Sequence, residues 1–89
     1  MKHIVKRAGH AEPYDERKLY ASIYAAALSV REPSATAELV AQEVEKQVSD
    51  WLEAKHEVTG NDIRRVAAQH LQVLNPDAAY QYLHHRVIW

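Results

Sequence analysis

From residue 16 onward, apolar residues recur at helical spacing in four successive segments, each bounded by a cap or a breaker. Leu19, Ile23, Ala26, Ala27 and Val30 make the first stripe. With Asp15 as N-cap they predict a helix over about 16–30. Arg31-Glu32-Pro33 breaks it, because a proline cannot continue a helix. Ser34 is the candidate N-cap of a second helix, 34–55, whose apolar stripe is Ala37, Val40, Val44, Val48 and Trp51. Thr59-Gly60-Asn61-Asp62 reads as a capping box, with a hydroxyl at the cap and a carboxylate three residues on. A third helix over 60–74 then places Ile63, Val66, Ala67, His70, Leu71 and Leu74 on one side. Asn75-Pro76 opens a fourth helix, 76–88, with proline at the first helical position. Tyr80, Leu83 and Val87 are its expected buried face.

Ahead of the helices, His3 to Arg7 carries the β-branched pair Ile4 and Val5 and predicts a strand. Ala8-Gly9-His10 predicts a turn, and Ala11 to Tyr14 a returning strand, so the hairpin spans 3–14. Pro13 lacks a ladder donor and restricts that strand to a short or edge position. His56-Glu57-Val58 is too short to assign alone and would serve as a third strand beside the hairpin. The expected fold is α+β: a four-helix bundle capped by a small sheet from the N-terminal β-hairpin, one domain over residues 1–89.

Composition narrows the function classes. The chain of 89 residues has no cysteine, which excludes a disulfide framework, a zinc ribbon and thiol chemistry. Its 11 basic and 12 acidic residues give a net charge of -1, without the positive excess of a nucleic-acid module. No apolar run approaches the roughly 18 residues of a membrane span. Met1 to Arg7 turns charged again before an apolar core can form, so it does not read as a secretory signal. A cytoplasmic location is expected. No nucleophile elbow, phosphate-binding lysine loop or zinc-protease helix is present, so no catalytic residue and no metal ligand is assigned. The six histidines are scattered, and His84 and His85 diverge if helical.

Lys6, Arg7, Glu12, Asp15 and Lys18 cluster around one turn and one helix start, with Gly9 between them. Arg17 and Lys18 lie in the first turn of a helix, where their charge opposes the dipole and costs up to about 1 kcal/mol without a compensating anion. A phosphate at that terminus reverses the sign. Charge and spacing alone leave a plain alternative open: a solvated hairpin with surface ion pairs such as Glu12 with Lys18. Adjacent strand residues point to opposite faces, so Lys6 and Arg7 divide their roles.

The run Val5-Lys6-Arg7-Ala8-Gly9-His10-Ala11-Glu12-Pro13-Tyr14-Asp15-Glu16-Arg17-Lys18-Leu19 resembles the opening of the ATP-cone, the regulatory domain of ribonucleotide reductases and related repressors. That opening is commonly V-x-K-R-D-G, an acid, then F-D-x-x-K-[IL]. Val58-Thr59-Gly60-Asn61-Asp62-Ile63 is similar to the family's V-[TS]-[ST]-x-x-I, and Ala79-Tyr80-Gln81-Tyr82-Leu83 with Arg86 to its last helix. The resemblance implies that Lys6, Arg7 and Lys18 meet phosphates and that Val5 touches base or sugar. It places Glu12 and Asp15 at the adenine amino group, Thr59 near phosphates or ribose, and Arg64 beside them as added charge. The implied ligand is ATP or dATP, bound allosterically, with Mg2+ as a candidate companion. The implied action is on a ribonucleotide reductase through oligomerisation, by self-association or contact with a reductase subunit. Tyr80, Tyr82 and Trp89 are the aromatic candidates for that changing surface. Two alternatives stand beside it: a degenerate cone kept for dimerisation, and part of a nucleotide-responsive repressor. Ala8 stands where the family usually has Asp, which puts nucleotide affinity in question.

Overall fold

The computed structural model describes the backbone of residues 4–7, 10–55 and 57–84, and the side chains of 13–55 and 57–84. Strands β1 (Ile4–Arg7) and β2 (His10–Pro13) lead into helices α1 (Glu16–Ser29) and α2 (Ser34–Leu52). Strand β3 (Glu57–Thr59) then precedes α3 (Gly60–Leu74) and α4 (Pro76–His84). The sheet order is β2-β1-β3, with β1 antiparallel to β2 and parallel to β3. Gly9 lies outside the described residues, as do His56, Val87 and Trp89.

Three of the four helix starts follow their capping signals. Asp15 Oδ1 accepts from the Arg17 and Lys18 amides at 3.0 and 3.4 Å. Thr59 Oγ1 accepts from the Asp62 amide while Asp62 Oδ2 accepts from the Thr59 amide, each at 3.0 Å, closing the capping box. Asn75 Oδ1 accepts from the Ala78 amide at 3.0 Å, with Pro76 next to it inside the helix. The exception is α2. Pro33 occupies the cap position, makes no side-chain cap bond, and Ser34 is the first helical residue. The proline's fixed φ of -59° lets the helix start one residue early, and the Pro33 carbonyl accepts from the Ala37 amide at 2.8 Å.

The end of α1 is closed tightly. The Arg31 amide donates to the Leu28 carbonyl and the Glu32 amide to the Ala27 carbonyl, the crossed pair of a Schellman motif. The motif needs a left-handed residue at its turn, and Arg31 supplies it with φ 70°. Helix α2 ends at Leu52, three residues short of the expected 55, as the chain turns toward β3.

Side-chain bonds fix the direction of each helix. Tyr14, just before α1, donates to Glu45 late in α2, at 3.5 Å. Arg64, early in α3, donates to the Leu83 carbonyl late in α4. At the opposite end, Asn75 between α3 and α4 donates to Glu32 between α1 and α2. The starts of α1 and α3 and the ends of α2 and α4 therefore share the sheet end of an up-down-up-down bundle.

The core is graded along that axis. Leu19, Ile23, Val44, Val48, Leu52, Ile63, Val66 and Tyr82 fill its sheet end and middle. Toward the far end, buried positions are mostly alanine: Ala26 and Ala27, Ala37 and Ala41, Ala78 and Ala79, with Leu71 the large side chain among them. Small side chains let helix axes approach more closely than large ones do.

Helix α4 buries a face other than the expected one. Ala78, Ala79 and Tyr82 are buried, whereas Tyr80 is 59% and Leu83 44% exposed. Side-chain bulk suggested the wrong stripe: the two alanines seat α4 closely, and Tyr82, four residues after Ala78, follows them inward. Tyr82 is thus a core residue and not part of an exposed aromatic surface.

Candidate functional site

The sheet end gathers two helix N-termini, and each presents a chemically distinct group. At α1 the Asp15 carboxylate uses Oδ1 for the cap, and its Oδ2 carries no hydrogen bond among the described residues. One carboxylate thereby holds the helix start through Oδ1, with no described residue hydrogen-bonded to Oδ2. Arg17 lies 3.8 Å from Oδ1 with a side chain 91% exposed, a weak surface pair. Lys18 is exposed and makes no ion pair among the described residues. Among the described residues, Asp15 and Glu16 are the acids that offset this cationic first turn.

At α3 the Thr59 hydroxyl accepts from the Asp62 amide, which leaves its own hydrogen to donate outward. Thr59 is exposed, as a phosphate- or sugar-binding hydroxyl requires. The Thr59 amide, above all, holds the Asp62 carboxyl below its ordinary range, and Arg65 adds to the effect across a 3.4 Å pair. The capping box is therefore fixed in its ionised form near neutral pH.

Sheet register joins the two helix starts. Lys6 pairs with Thr59 on one side and Ala11 on the other, and Val5 pairs with Val58 and Glu12. The backbone of Lys6 therefore runs beside the cap of α3, and Val5 shares a rung with Glu12. Strands β2 and β3 flank β1 about 10 Å apart and run in opposite directions, so Pro13, which feeds α1, lies at the Ile4 rung and Thr59, which feeds α3, two residues on at Lys6. The side chains of Val5, Lys6, Arg7 and Glu12 lie outside the described residues.

Two features had no sequence signal. Tyr14, Glu45 and Ser49 form one polar group at the sheet end, with Ser49 donating at 2.5 Å to the oxygen that Tyr14 also meets. Burial raises the Tyr14 phenol well above its usual range, and the carboxylates of Glu45 and Glu16 add to the shift against the Ser49 bond. Arg64, expected to add charge beside the phosphates, reaches instead across to the Leu83 carbonyl. Both contacts join residues far apart in the chain, where periodicity carries no information.

Among the described residues no helix is long and apolar enough to cross a membrane. No group of three His, Asp or Glu there could hold a metal ion. The model of the ATP cone domain matches the chain over residues 2–89. No curated protein and no solved structure matches it.

Proposed function

The chain belongs to the ATP-cone family, and from that premise we propose that its sheet end is an allosteric site for ATP or dATP built on Asp15, Lys18 and Thr59. ATP-cones are nucleotide-binding regulatory domains and are not catalytic by themselves. The observation that carries the residue assignment is the pair of capped helix starts beside one sheet. Asp15 offers an acceptor there, and Lys18 and Thr59 offer donors. In this reading the Asp15 carboxylate, with Glu12, accepts from the adenine amino group, where guanine presents a carbonyl. Lys18, Lys6 and Arg7 neutralise phosphate charge, Thr59 donates to phosphate or ribose, and Val5 packs on base or sugar. Mg2+ would accompany the triphosphate through its own oxygens. The domain acts by shifting an assembly equilibrium, by self-association or on a ribonucleotide reductase subunit. It does so only through unequal nucleotide affinity for the two states.

Calorimetric titration with ATP, dATP and GTP tests this. Both adenine nucleotides bind, and GTP binds at least about tenfold more weakly, a loss of about 1.4 kcal/mol. Equal affinity for ATP and GTP removes the acceptor role of Glu12 and Asp15. No heat from any of the three refutes the proposal as a whole.

A further inference from the structure

Arg64 stands between two demands. It lies five residues past the cap Thr59, in the second turn of α3, and its guanidinium donates to the Leu83 carbonyl in the last described turn of α4. A neutral carbonyl is a weaker acceptor for a guanidinium than a phosphate oxygen, because bonds between ionised partners are shorter and roughly twice as strong. An anion arriving at the start of α3 would therefore compete with the Leu83 carbonyl for this guanidinium, while Ala78, Ala79 and Tyr82 keep α4 seated.

What Arg64 holds is the exposed side of α4. Tyr80 is largely exposed there, and its ring stacks on His84 with centroids 4.0 Å apart. The His84 ring nitrogen Nδ1 lies 2.8 Å from the Tyr80 carbonyl, so the stack is built on the helical turn itself. Leu83, whose carbonyl Arg64 takes, adds an apolar side chain that is 44% exposed. A change in the geometry of this turn alters Tyr80, Leu83 and His84 together.

We propose that Arg64 is a coupling residue: a phosphate bound at the start of α3 draws its guanidinium off the Leu83 carbonyl and so re-presents the Tyr80–Leu83–His84 face of α4. The idea rests on the nucleotide reading above and specifies how that site reaches the opposite side of the helical hairpin. It gives Arg64 a positional role in the ligand-free protein and a ligand role in the bound one. Neither role alone yields a switch; the exchange between them does.

The experiment is ATP titration of the whole chain followed by NMR of the Tyr80 and His84 ring signals and the Leu83 carbonyl carbon. Wild type is compared with Arg64→Gln and Arg64→Lys, and circular dichroism checks folding. In wild type, saturating ATP shifts all three signals together. In Arg64→Gln those signals already lie displaced without ligand, and ATP, bound more weakly through Lys18 and Thr59, moves them no further. Arg64→Lys keeps the charge and one donor at a time, and retains part of the ATP-dependent shift. ATP binding to wild type without movement of these signals overturns the coupling and leaves the nucleotide site standing. An undiminished shift in a folded Arg64→Gln protein does the same. Failure of wild type to bind ATP overturns both.

Discussion

Arg31 holds a left-handed conformation, φ 70°, at the turn that closes α1. For a residue with a Cβ that region costs roughly 1–2 kcal/mol relative to right-handed backbone. Glycine adopts it without the clash but loses about 0.5–1 kcal/mol more conformational entropy on folding. The middle of each range leaves Arg31→Gly more stable by about 0.75 kcal/mol. Both Schellman hydrogen bonds use backbone atoms only, so they survive the change. For a domain of this size that gain raises Tm by roughly 3–6 °C. The Arg31 side chain is exposed, so Arg31→Ala, which keeps the Cβ and loses the rest, should stay within about 0.5 kcal/mol of wild type. Thermal unfolding by circular dichroism, with urea melts for free energies, reads both variants. An Arg31→Gly protein no more stable than wild type would refute the reasoning. It would mean that the turn is relaxed around Arg31, or that the arginine stem contributes packing equal to the backbone strain.

Other perturbations test the remaining assignments. Thr59→Ala opens the capping box and should cost about 1 kcal/mol in urea unfolding. Asp62 has a folded pKa below its ordinary value, so its contribution is full above that value and fades as pH falls through the folded one. Asp62→Asn should therefore flatten the acid limb of a Tm-against-pH curve, and an unchanged limb would place the acid sensitivity elsewhere. Tyr14 runs the opposite way: its folded pKa is raised, so its contribution is complete below the ordinary phenol value and is lost as pH climbs past it. Tyrosinate absorbance should show a late-ionising group that Tyr14→Phe abolishes. Tyr82→Ala should cost about 3–5 kcal/mol by emptying a core position, and Tyr80→Ala less than about 0.5 kcal/mol. The reverse ranking would restore the face of α4 first expected from side-chain size.

What sequence reveals divides along physical lines. Asp15, the Thr59–Asp62 box and Asn75-Pro76 are local rules, satisfied within four residues, and each sits where the pattern placed it. Buried stripes were legible at Leu19, Ile23, Val44, Val48, Ile63 and Leu71, whereas Leu74 is 46% exposed and Val40 and Trp51, expected in the α2 stripe, are only half-buried beside Ala41 and Leu52. They misled in α4, because alanine serves equally on a contact face or in water and only the approach of a neighbouring helix decides. The Asp15, Lys18 and Thr59 positions were nameable from family resemblance, and their chemistry follows from the caps. Tyr14 with Glu45, Asn75 with Glu32 and Arg64 with Leu83 join positions 31, 43 and 19 residues apart, distances that no spacing rule spans.

The graded core also decides where the molecule opens first. Burying an alanine methyl yields about 0.8 kcal/mol, and a leucine, isoleucine or valine side chain roughly two to four times as much. The far end, mostly alanine, is thus thinner in cohesive energy, with Leu71, the half-buried Val30 and Val40, and the Asn75–Glu32 bond holding it. The sheet end, crowded with large side chains, carries most of the cohesion. Amide hydrogen exchange in the two far-end turns should therefore outpace exchange around Ile23, Val48 and Val66, as local openings start where least is buried. A ligand at the sheet end would slow exchange in the part already most protected, leaving the far turns to breathe as before.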